Sequence, residues 1–208
     1  MTRPSSAAAR RRRAATIARR RQASARSARD RILATADRLF YHHGIQAVGV
    51  QLLLQESDVT RVTFYRHFPS KDDLVLAYLD RRGTAARAAV QAIVDAHLDD
   101  PGGALHAWAV AFAEDGQIDE YRGCTFVNAA AEYGAPDHPV RLMAIAQRRW
   151  INEVTENLLR RCGHPEPLAA ARALLALRTG YVFSTGLEED AGWAGQFLAA
   201  HDRIVAGG

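Results

Sequence analysis

The sequence predicts an all-α fold, in which a small N-terminal unit of three helices is followed by a larger helical unit. Three observations support this prediction. Apolar residues recur at spacings of three and four along most of the chain, which is the period of an amphipathic helix. No segment shows the alternation of apolar and polar residues that is typical of a strand. Residues that cap or end helices stand between the apolar stripes.

The first 27 residues form an Arg-rich segment, which we expect to be a disordered arm. Residues 1–29 contain ten arginines and no acidic residue. The whole chain has a formal net charge of +4, so removing these ten charges leaves −6 on the remaining residues. A block of like charge buries too little apolar surface to fold alone, and this composition is typical of an arm that binds nucleic acid. A solvated leader without a specific role is an equally compatible interpretation.

The N-terminal unit is predicted over residues 28–80 and begins with two helices. The first carries an apolar stripe and ends before Gly44, since glycine is often found just past a helix end. The second is short and lacks a side-chain cap, because Gly49 precedes it. We expect it to run from Val50 to about Glu56, where Asp58 tolerates the left-handed conformation of a tight turn.

A third helix is predicted to begin after Thr60, whose hydroxyl can accept a backbone N–H. Phe64 and Phe68 lie four residues apart on its buried side. Ser70 and Asp73 form a capping box at the start of the next helix. Two short helices joined by a tight turn, after a longer helix, form the helix-turn-helix unit that places its second helix in the major groove of DNA.

The segment from Val59 to Leu74 reads VTRVTFYRHFPSKDDL. It resembles the recognition helix of the TetR/AcrR family of transcriptional regulators and the start of the helix that follows it. The resemblance extends over about residues 29–80. It implies a sequence-specific, DNA-binding regulator, and more narrowly a repressor that a small-molecule effector releases from its operator. The sequence departs from the family pattern at Asp58, where glycine is common, and near Leu54, where a small residue is common.

The first turn of the third helix carries the candidates for reading base pairs. Arg61 suits the O6 and N7 acceptors of guanine, and the methyl groups of Val62 and Thr63 suit the methyl group of thymine. The resemblance adds Gln51, in the first turn of the second helix, as a base or backbone contact.

Three further residues are candidates for positioning the protein on the DNA backbone. Tyr65 and His67 are expected on the exposed rim of the third helix, where they can form hydrogen bonds with phosphate oxygens. Lys71 begins the next helix, so its ammonium joins the free backbone N–H groups there in one anion site. The predicted DNA contacts are Gln51, Thr60, Arg61, Val62, Thr63, Tyr65, His67 and Lys71.

Residues 81–208 are predicted to form the larger helical unit, which the resemblance makes a ligand-binding and dimerisation domain. Gly83 is expected to break or bend its first helix, and the segment Asp99–Gly103 is expected to be a turn. Further helices are predicted around Trp108 and Phe112, over Cys124–Tyr133, after Pro139, after Pro167, and from about Ala191 to Val205.

Aromatic residues concentrate in the middle of the chain, where the resemblance implies an effector site. Ligand pockets are mostly apolar and aromatic with a few polar groups, so the effector is expected to be partly apolar. Plain core packing is the alternative for each aromatic residue and for Cys124. Asp137 and His138 are better explained by a turn than by metal binding. The predicted effector contacts are Trp108, Phe112, Tyr121, Arg122, Cys124, Phe126, Asn128, Tyr133 and Trp150.

A homodimer is expected on energetic grounds. One bidentate base contact discriminates by about 1–3 kcal/mol, whereas specific regulators must exceed nonspecific binding by about 4–10 kcal/mol. Two-fold pairing on a palindromic or near-palindromic operator supplies a second set of contacts. The resemblance places the interface on the last two helices, about Leu168–Leu187 and Ala191–Val205, where Gly180 and Gly186 would allow close approach. The alternative is that these helices only close the core of the monomer.

Other classes of protein are disfavoured by what the chain lacks. No apolar run is long enough to span a bilayer, and the two cysteines are far apart, so we expect a cytoplasmic protein without a membrane segment, metal or cofactor. No nucleophile elbow, HExxH or Gly-rich phosphate loop is present, which argues against an enzyme. A nonspecific nucleic-acid binder driven by the Arg-rich arm remains an alternative, and its affinity would fall steeply with salt.

Overall fold

The computed structural model describes residues 28–117, 121–187 and 192–207. Throughout these ranges the regular structure is helical and no strand occurs, which confirms the predicted all-α class. The predicted Arg-rich arm lies outside the described residues. The helices are α1 (28–43), α2 (Val50–Ser57), α3 (Arg61–His67), α4 (Lys71–Ala96), α5 (Pro101–Asp115), α6 (Thr125–Glu132), α7 (Pro139–Arg161), α8 (Pro167–Leu187) and α9 (Gly192–Ala206).

The chain divides into two compact units, and the division falls inside α4. The first unit ends at Val75 and the second begins at Leu76. The boundary after residue 80 that the sequence suggested stays a prediction for the functional domains. Each helix in the described part of the chain is too short or too polar to cross a bilayer.

The core of the first unit is built from the apolar stripes of its helices. Ile32 and Ala36 on α1, Leu53 on α2 and Phe64 on α3 are completely buried. Burying a side chain as large as those of Ile32, Leu53 and Phe64 stabilises the fold by about 1.5–3 kcal/mol, and the single methyl group of Ala36 contributes less. The other buried apolar residues of this unit are Ala28, Leu33, Leu39, Phe40, Ile45, Val48, Leu54, Phe68, Leu74 and Val75.

The turn between α2 and α3 has the left-handed conformation that the sequence suggested. α2 ends at Ser57, one residue later than expected, and Asp58 follows with φ 50° and ψ 53°. Its backbone N–H points to the carbonyl oxygens of Leu54 and Gln55. Asp58 therefore fills a position that glycine would occupy without strain. As expected, Gly49 offers no side-chain cap at the start of α2.

Two sequence-based expectations for the second unit were wrong, namely a break at Gly83 and a turn over the whole segment Asp99–Gly103, whereas a bend at Gly83 stays a prediction. α4 continues without a break through Gly83, which is buried. A Cβ there would lie 3.2 Å from Cζ of Phe126 and 3.4 Å from Oε1 of Gln147, so the glycine makes room for neighbouring side chains and does not end a helix. The segment Asp99–Gly103 is also not wholly a turn, because α5 begins at Pro101.

The start of α5 shows why glycines there are compatible with a helix. Pro101 occupies the first helical position, where its missing N–H costs nothing. Asp100 is the N-cap, and its Oδ1 accepts a hydrogen bond of 2.8 Å from the N–H of Gly103. The cap and the proline therefore outweigh the low helix propensity of the two glycines.

The second unit buries its core between α5, α7, α8 and α9. In this unit α8 packs on α7 and α9, α5 packs on α9 and α7, and α6 packs on α7. One cluster of buried residues fills the interior. Its members are Ala104, Leu105, Leu158, Leu159, Ala170, Ala171 and Leu174. The long helices of this unit are consequently held by apolar packing along much of their length.

Candidate DNA-binding site

α3 has one buried side and one exposed side. Phe64 is completely buried and Phe68 is 2% exposed, and their ring centroids are 6.2 Å apart. On the other side Val62 is 77% exposed and Tyr65 is 41% exposed. The Tyr65 ring packs edge-on against Phe64, with centroids 5.3 Å apart. The core residue thus anchors the helix and also orients one of the predicted DNA contacts.

Thr60 caps α3 as the sequence predicted. Its Oγ1 accepts a hydrogen bond of 3.2 Å from the N–H of Thr63, and the two threonine hydroxyls are 3.0 Å apart. Such a cap contributes about 1 kcal/mol to helix stability. Thr60 is exposed and Thr63 is partly exposed, so the methyl groups of this pair lie at the accessible start of the helix.

Arg61 and Gln51 are brought together across the turn. Both side chains are exposed, and Nη2 of Arg61 donates to Oε1 of Gln51 over 3.4 Å. This long hydrogen bond is weak and can be exchanged for a base edge or a phosphate. The structure therefore places the two predicted base contacts side by side, one from each helix of the motif.

His67 differs from the sequence-based expectation. It is only partly exposed, and its Nε2 is buried without a hydrogen-bond partner among the described residues. Burial lowers the pKa of His67, and the positive charges of Arg66 and Arg29 lower it further. The imidazole therefore lies partly inside the unit, and its placement on the exposed rim was wrong. Its role as a phosphate contact stays a prediction.

Lys71 begins α4 beside the predicted capping box. The N–H of Asp73 donates to Oγ of Ser70 over 3.1 Å, and Oδ2 of Asp73 accepts from the backbone N–H and the hydroxyl of Ser70 at 2.9 and 2.7 Å. The two side chains thus fix the start of α4. Lys71 is partly exposed at this positive end of the helix dipole, which is suitable for a phosphate group.

Two arginines of α1 that sequence reasoning missed support the motif. Arg31 donates from Nε to the carbonyl oxygen of Ser57 and from Nη2 to that of Asp58, both over 3.1 Å. Arg38 forms a salt bridge of 2.7 Å with Glu56. Arg31 therefore satisfies carbonyl groups at the end of α2, where helices leave acceptors free. No local signal marks either contact, because the partners are far apart in the sequence.

The predicted effector residues of the second unit have different surroundings. Trp108, Phe126 and Tyr133 are each 7% exposed. Phe112 is partly exposed, and its ring lies within 5.8 Å of Tyr181 and 5.7 Å of Phe197 between centroids. These last two residues were not predicted, although their aromatic type was a usable signal. Phe112 therefore packs with two aromatic residues outside the predicted set.

The polar residues predicted for the effector site lie closer to the surface. Arg122 and Asn128 are exposed, and the amide of Asn128 donates to the carbonyl oxygen of Arg122 over 2.7 Å. Tyr121 and Cys124 are partly exposed. Asn128 therefore stabilises the segment before α6, and an effector role for these four residues stays a prediction.

Trp150 and His138 have clear local partners. The guanidinium carbon of Arg87 lies 5.7 Å from the Trp150 ring centre, and Nε of Arg87 donates to Oε1 of Gln147 over 3.0 Å. His138 caps α7, because its Nδ1 accepts from the N–H of Val140 over 3.3 Å. The cap agrees with the turn that the sequence favoured for this histidine.

Comparison with known proteins places this geometry in a family. The model of bacterial regulatory proteins, tetR family, matches residues 32–78. The HTH-type transcriptional regulator EthR of Mycobacterium tuberculosis is 36% identical over 64 residues, which cover 31% of this chain and only 30% of EthR. The HTH-type transcriptional repressor NemR of Escherichia coli is 27% identical over 165 residues, covering 73% of this chain and 80% of NemR.

A crystal structure extends the similarity beyond the motif. SCO4454, a TetR-family transcriptional regulator from Streptomyces coelicolor, is 37% identical to this chain and superimposes with a TM-score of 0.83. The superposition covers 86% of this chain and 95% of SCO4454, so both units take part in the similarity. The chain therefore belongs to the TetR family of bacterial regulatory proteins and is a transcriptional regulator, not an enzyme.

Proposed function

We propose that this protein is a sequence-specific repressor that binds a palindromic operator as a homodimer and leaves it when a small-molecule effector binds. The observation that carries the proposal is α3 itself. This helix is capped by Thr60, anchored by the buried Phe64, and presents Arg61, Val62 and Tyr65 to solvent. Exposing a valine side chain to water contributes no favourable free energy, but its methyl groups suit the methyl group of thymine in a major groove.

The other predicted contacts complete a two-part interface. Arg61 and Gln51 provide a donor fork and an amide for base edges, which specify sequence. Tyr65, His67 and Lys71 contact phosphates, which set the position of the protein but carry no sequence information. Repression is suggested by NemR, which is named as a repressor. The expected place of action is the cytoplasm, and the Arg-rich arm is an auxiliary DNA contact.

The homodimer is supported by an exposed stripe on α8 that consists of four small residues followed by Phe183 and Leu187. Its members are spaced alternately by four and three, so they share one face of the helix, and all are exposed. A Cβ added at Gly180 or Gly186 would have no described atom within 4 Å. Phe183 and Leu187 are 69% and 70% exposed, which is unfavourable unless another surface covers them. The stripe consists of Ala169, Ala173, Ala176, Gly180, Phe183 and Leu187.

α9 carries a similar face, with Gly192, Gly195, Ala199 and Ala206 exposed at spacings of three, four and seven. Small residues let helix backbones approach closely. Together the two faces fit a second copy of the chain in a two-fold, four-helix contact. Effector release then requires only that the effector bind the free dimer more tightly than the DNA-bound dimer.

The proposal is tested with the purified full chain and a random DNA library. Repeated selection should enrich a palindromic sequence, and Arg61→Ala should weaken binding to it by about 1–3 kcal/mol per half-site while leaving nonspecific binding nearly unchanged. The control is Arg149→Ala, which removes the same charge from an exposed position on α7. Both variants are compared in gel shifts at fixed salt.

Deletion of residues 1–27 separates the proposal from a nonspecific binder. A repressor keeps its sequence preference without the arm and loses only part of its salt dependence. Enrichment of no sequence, together with loss of all binding on deletion, would instead establish the nonspecific alternative.

A further inference from the structure

Arg178 on α8 has no salt-bridge or hydrogen-bonding partner among the described residues, although two aromatic rings lie against it. Its guanidinium carbon lies 3.8 Å from the centre of the Phe112 ring and 4.8 Å from that of Trp108. The side chain is only partly exposed. Contact with a ring face uses the charge of a guanidinium but not the N–H groups along its edge. Those donors therefore remain available.

The charge on Arg178 is maintained despite its surroundings. Burial lowers the pKa of Arg178 to about 10, and this effect is partly offset by Cys124, Tyr121 and Asp115. The side chain is thus protonated at neutral pH. Asp115 is exposed, and although its charge acts on the guanidinium, the two side chains form no salt bridge. Taking a charge out of water without an opposite charge in direct contact is costly, so an oxyanion brought to the guanidinium would be bound favourably.

A second unpaired donor belongs to the same region. The indole Nε1 of Trp193 is buried without a hydrogen-bond partner in the described structure. Trp193 packs against the cluster that contains Tyr181 and Phe197, whose rings are 4.7 Å apart between centroids. The hydroxyl of Tyr181 is already used, because it donates to the carbonyl oxygen of Ala113 over 2.8 Å. The unpaired polar groups of this aromatic cluster are therefore donors.

We infer that Arg178 binds the carboxylate of an amphipathic organic acid, whose apolar body contacts the aromatic cluster of Phe112, Tyr181 and Phe197. A guanidinium presents two parallel N–H groups that match a carboxylate in a bidentate pair. Aromatic rings suit a flat apolar body. That this acid is the effector rests on the proposed function. Its binding to Arg178 does not.

Ligands of other charge fit this region less well. A neutral ligand leaves the guanidinium without an anion, and a cation is repelled by it. The competing interpretation is that Arg178 only stiffens the fold through its ring contacts. In that case the charge of a ligand has no influence on its affinity, and this difference can be measured.

The experiment measures binding of two acids and their amides by titration calorimetry with the full chain. The probes are benzoate and 1-naphthoate, with benzamide and 1-naphthamide as neutral isosteres. At least one acid should bind at least about ten-fold more tightly than its amide, as expected for hydrogen bonds to a charged group. Arg178→Gln should remove this preference, and Trp193→Phe should weaken acid binding by roughly 2- to 10-fold.

Arg149→Gln, at an exposed position on α7, is the matched control and should bind like the unmodified chain. Arg178→Lys keeps the charge but loses the planar fork, so it should retain part of the preference. If Arg178→Gln fails to fold, the Arg178→Lys variant and the acid–amide comparison in the unmodified chain still test the inference. Equal affinity of acids and amides, or no acid binding, overturns the inference.

Gel shifts without ligand separate this inference from the proposed function. Arg178→Gln should keep its operator affinity. The acid that binds the unmodified chain should release that chain from operator DNA, but it should not release Arg178→Gln. Acid binding by a chain that never binds a specific DNA would support the Arg178 site and refute the repressor. Operator binding with no acid binding would support the repressor and refute the Arg178 site.

Discussion

Arg31 and Arg38 in the first unit and Arg178 in the second have opposite surroundings. In the first unit Arg31 and Arg38 are satisfied by the carbonyl oxygens of Ser57 and Asp58 and by the carboxylate of Glu56. In the second unit Arg178 lies over two aromatic rings with its N–H groups unpaired in the described structure. An arginine whose N–H groups are hydrogen-bonded within the protein stabilises one conformation, whereas an arginine with unpaired N–H groups is suited to bind a ligand. This contrast fits the roles proposed above, in which the first unit reads DNA and the second binds a ligand.

The largest effect is expected from Phe64→Ala, which tests the anchoring of α3 in the first unit. Because Phe64 is completely buried, its truncation should lower the free energy of unfolding by about 3–5 kcal/mol and abolish DNA binding. Val62→Ala is the matched change on the other side of α3, where the side chain is 77% exposed, and it should alter stability by less than about 0.5 kcal/mol. Denaturant unfolding compares the two. Similar losses for both variants would show that α3 is not anchored as described.

The next test concerns the exposed surface of the second unit. Leu187→Ser should weaken the dimer by about 1.5–3 kcal/mol per protomer, because Leu187 is 70% exposed in one chain and would be covered by its partner. Leu142→Ser on α7, at a leucine that is 49% exposed, is the control and should leave the dimer intact. Light scattering over a dilution series measures both. A dimer insensitive to Leu187→Ser would place the interface elsewhere.

The smallest effect is expected from Gly116→Ala. A Cβ there would lie 2.7 Å from Oη of Tyr181, so the ring must move and its hydrogen bond to Ala113 would be lost. We expect a loss of about 1–3 kcal/mol in thermal unfolding. Gly134→Ala meets no described atom within 4 Å and should be nearly neutral. An unchanged melting temperature for Gly116→Ala would mean that the aromatic cluster adapts more readily than its packing suggests.

The features that could be predicted from sequence are those whose partners are close in the chain. The cap at Thr60 and the capping box of Ser70 and Asp73 each join residues three apart, and the left-handed turn at Asp58 depends on one residue. The buried positions of Phe64 and Phe68 followed from helical spacing. These short-range signals were enough to identify the helix-turn-helix and the all-α class.

Two of the errors had their origin in neighbours distant along the chain. Gly83 was expected to break or bend a helix, but the helix is not broken there, and the side chains of Phe126 and Gln147 occupy the space beside the glycine. His67 was expected on the exposed rim, but its Nε2 is buried. In each case packing against other side chains decided the setting of the residue. A periodic sequence pattern carries no information about that packing.

By itself the sequence established the helix-turn-helix, its caps and turn, and the family resemblance, because these depend on residues a few positions apart. Only the tertiary structure decided which arginines are satisfied. Arg31 reaches carbonyl groups 26 and 27 residues away, and Arg178 meets the rings of Trp108 and Phe112 on another helix. Both appear in the sequence as ordinary helix-surface arginines. Their different roles arise from what the folded chain brings near each guanidinium, since a charge is stabilised or left available by its neighbours in space.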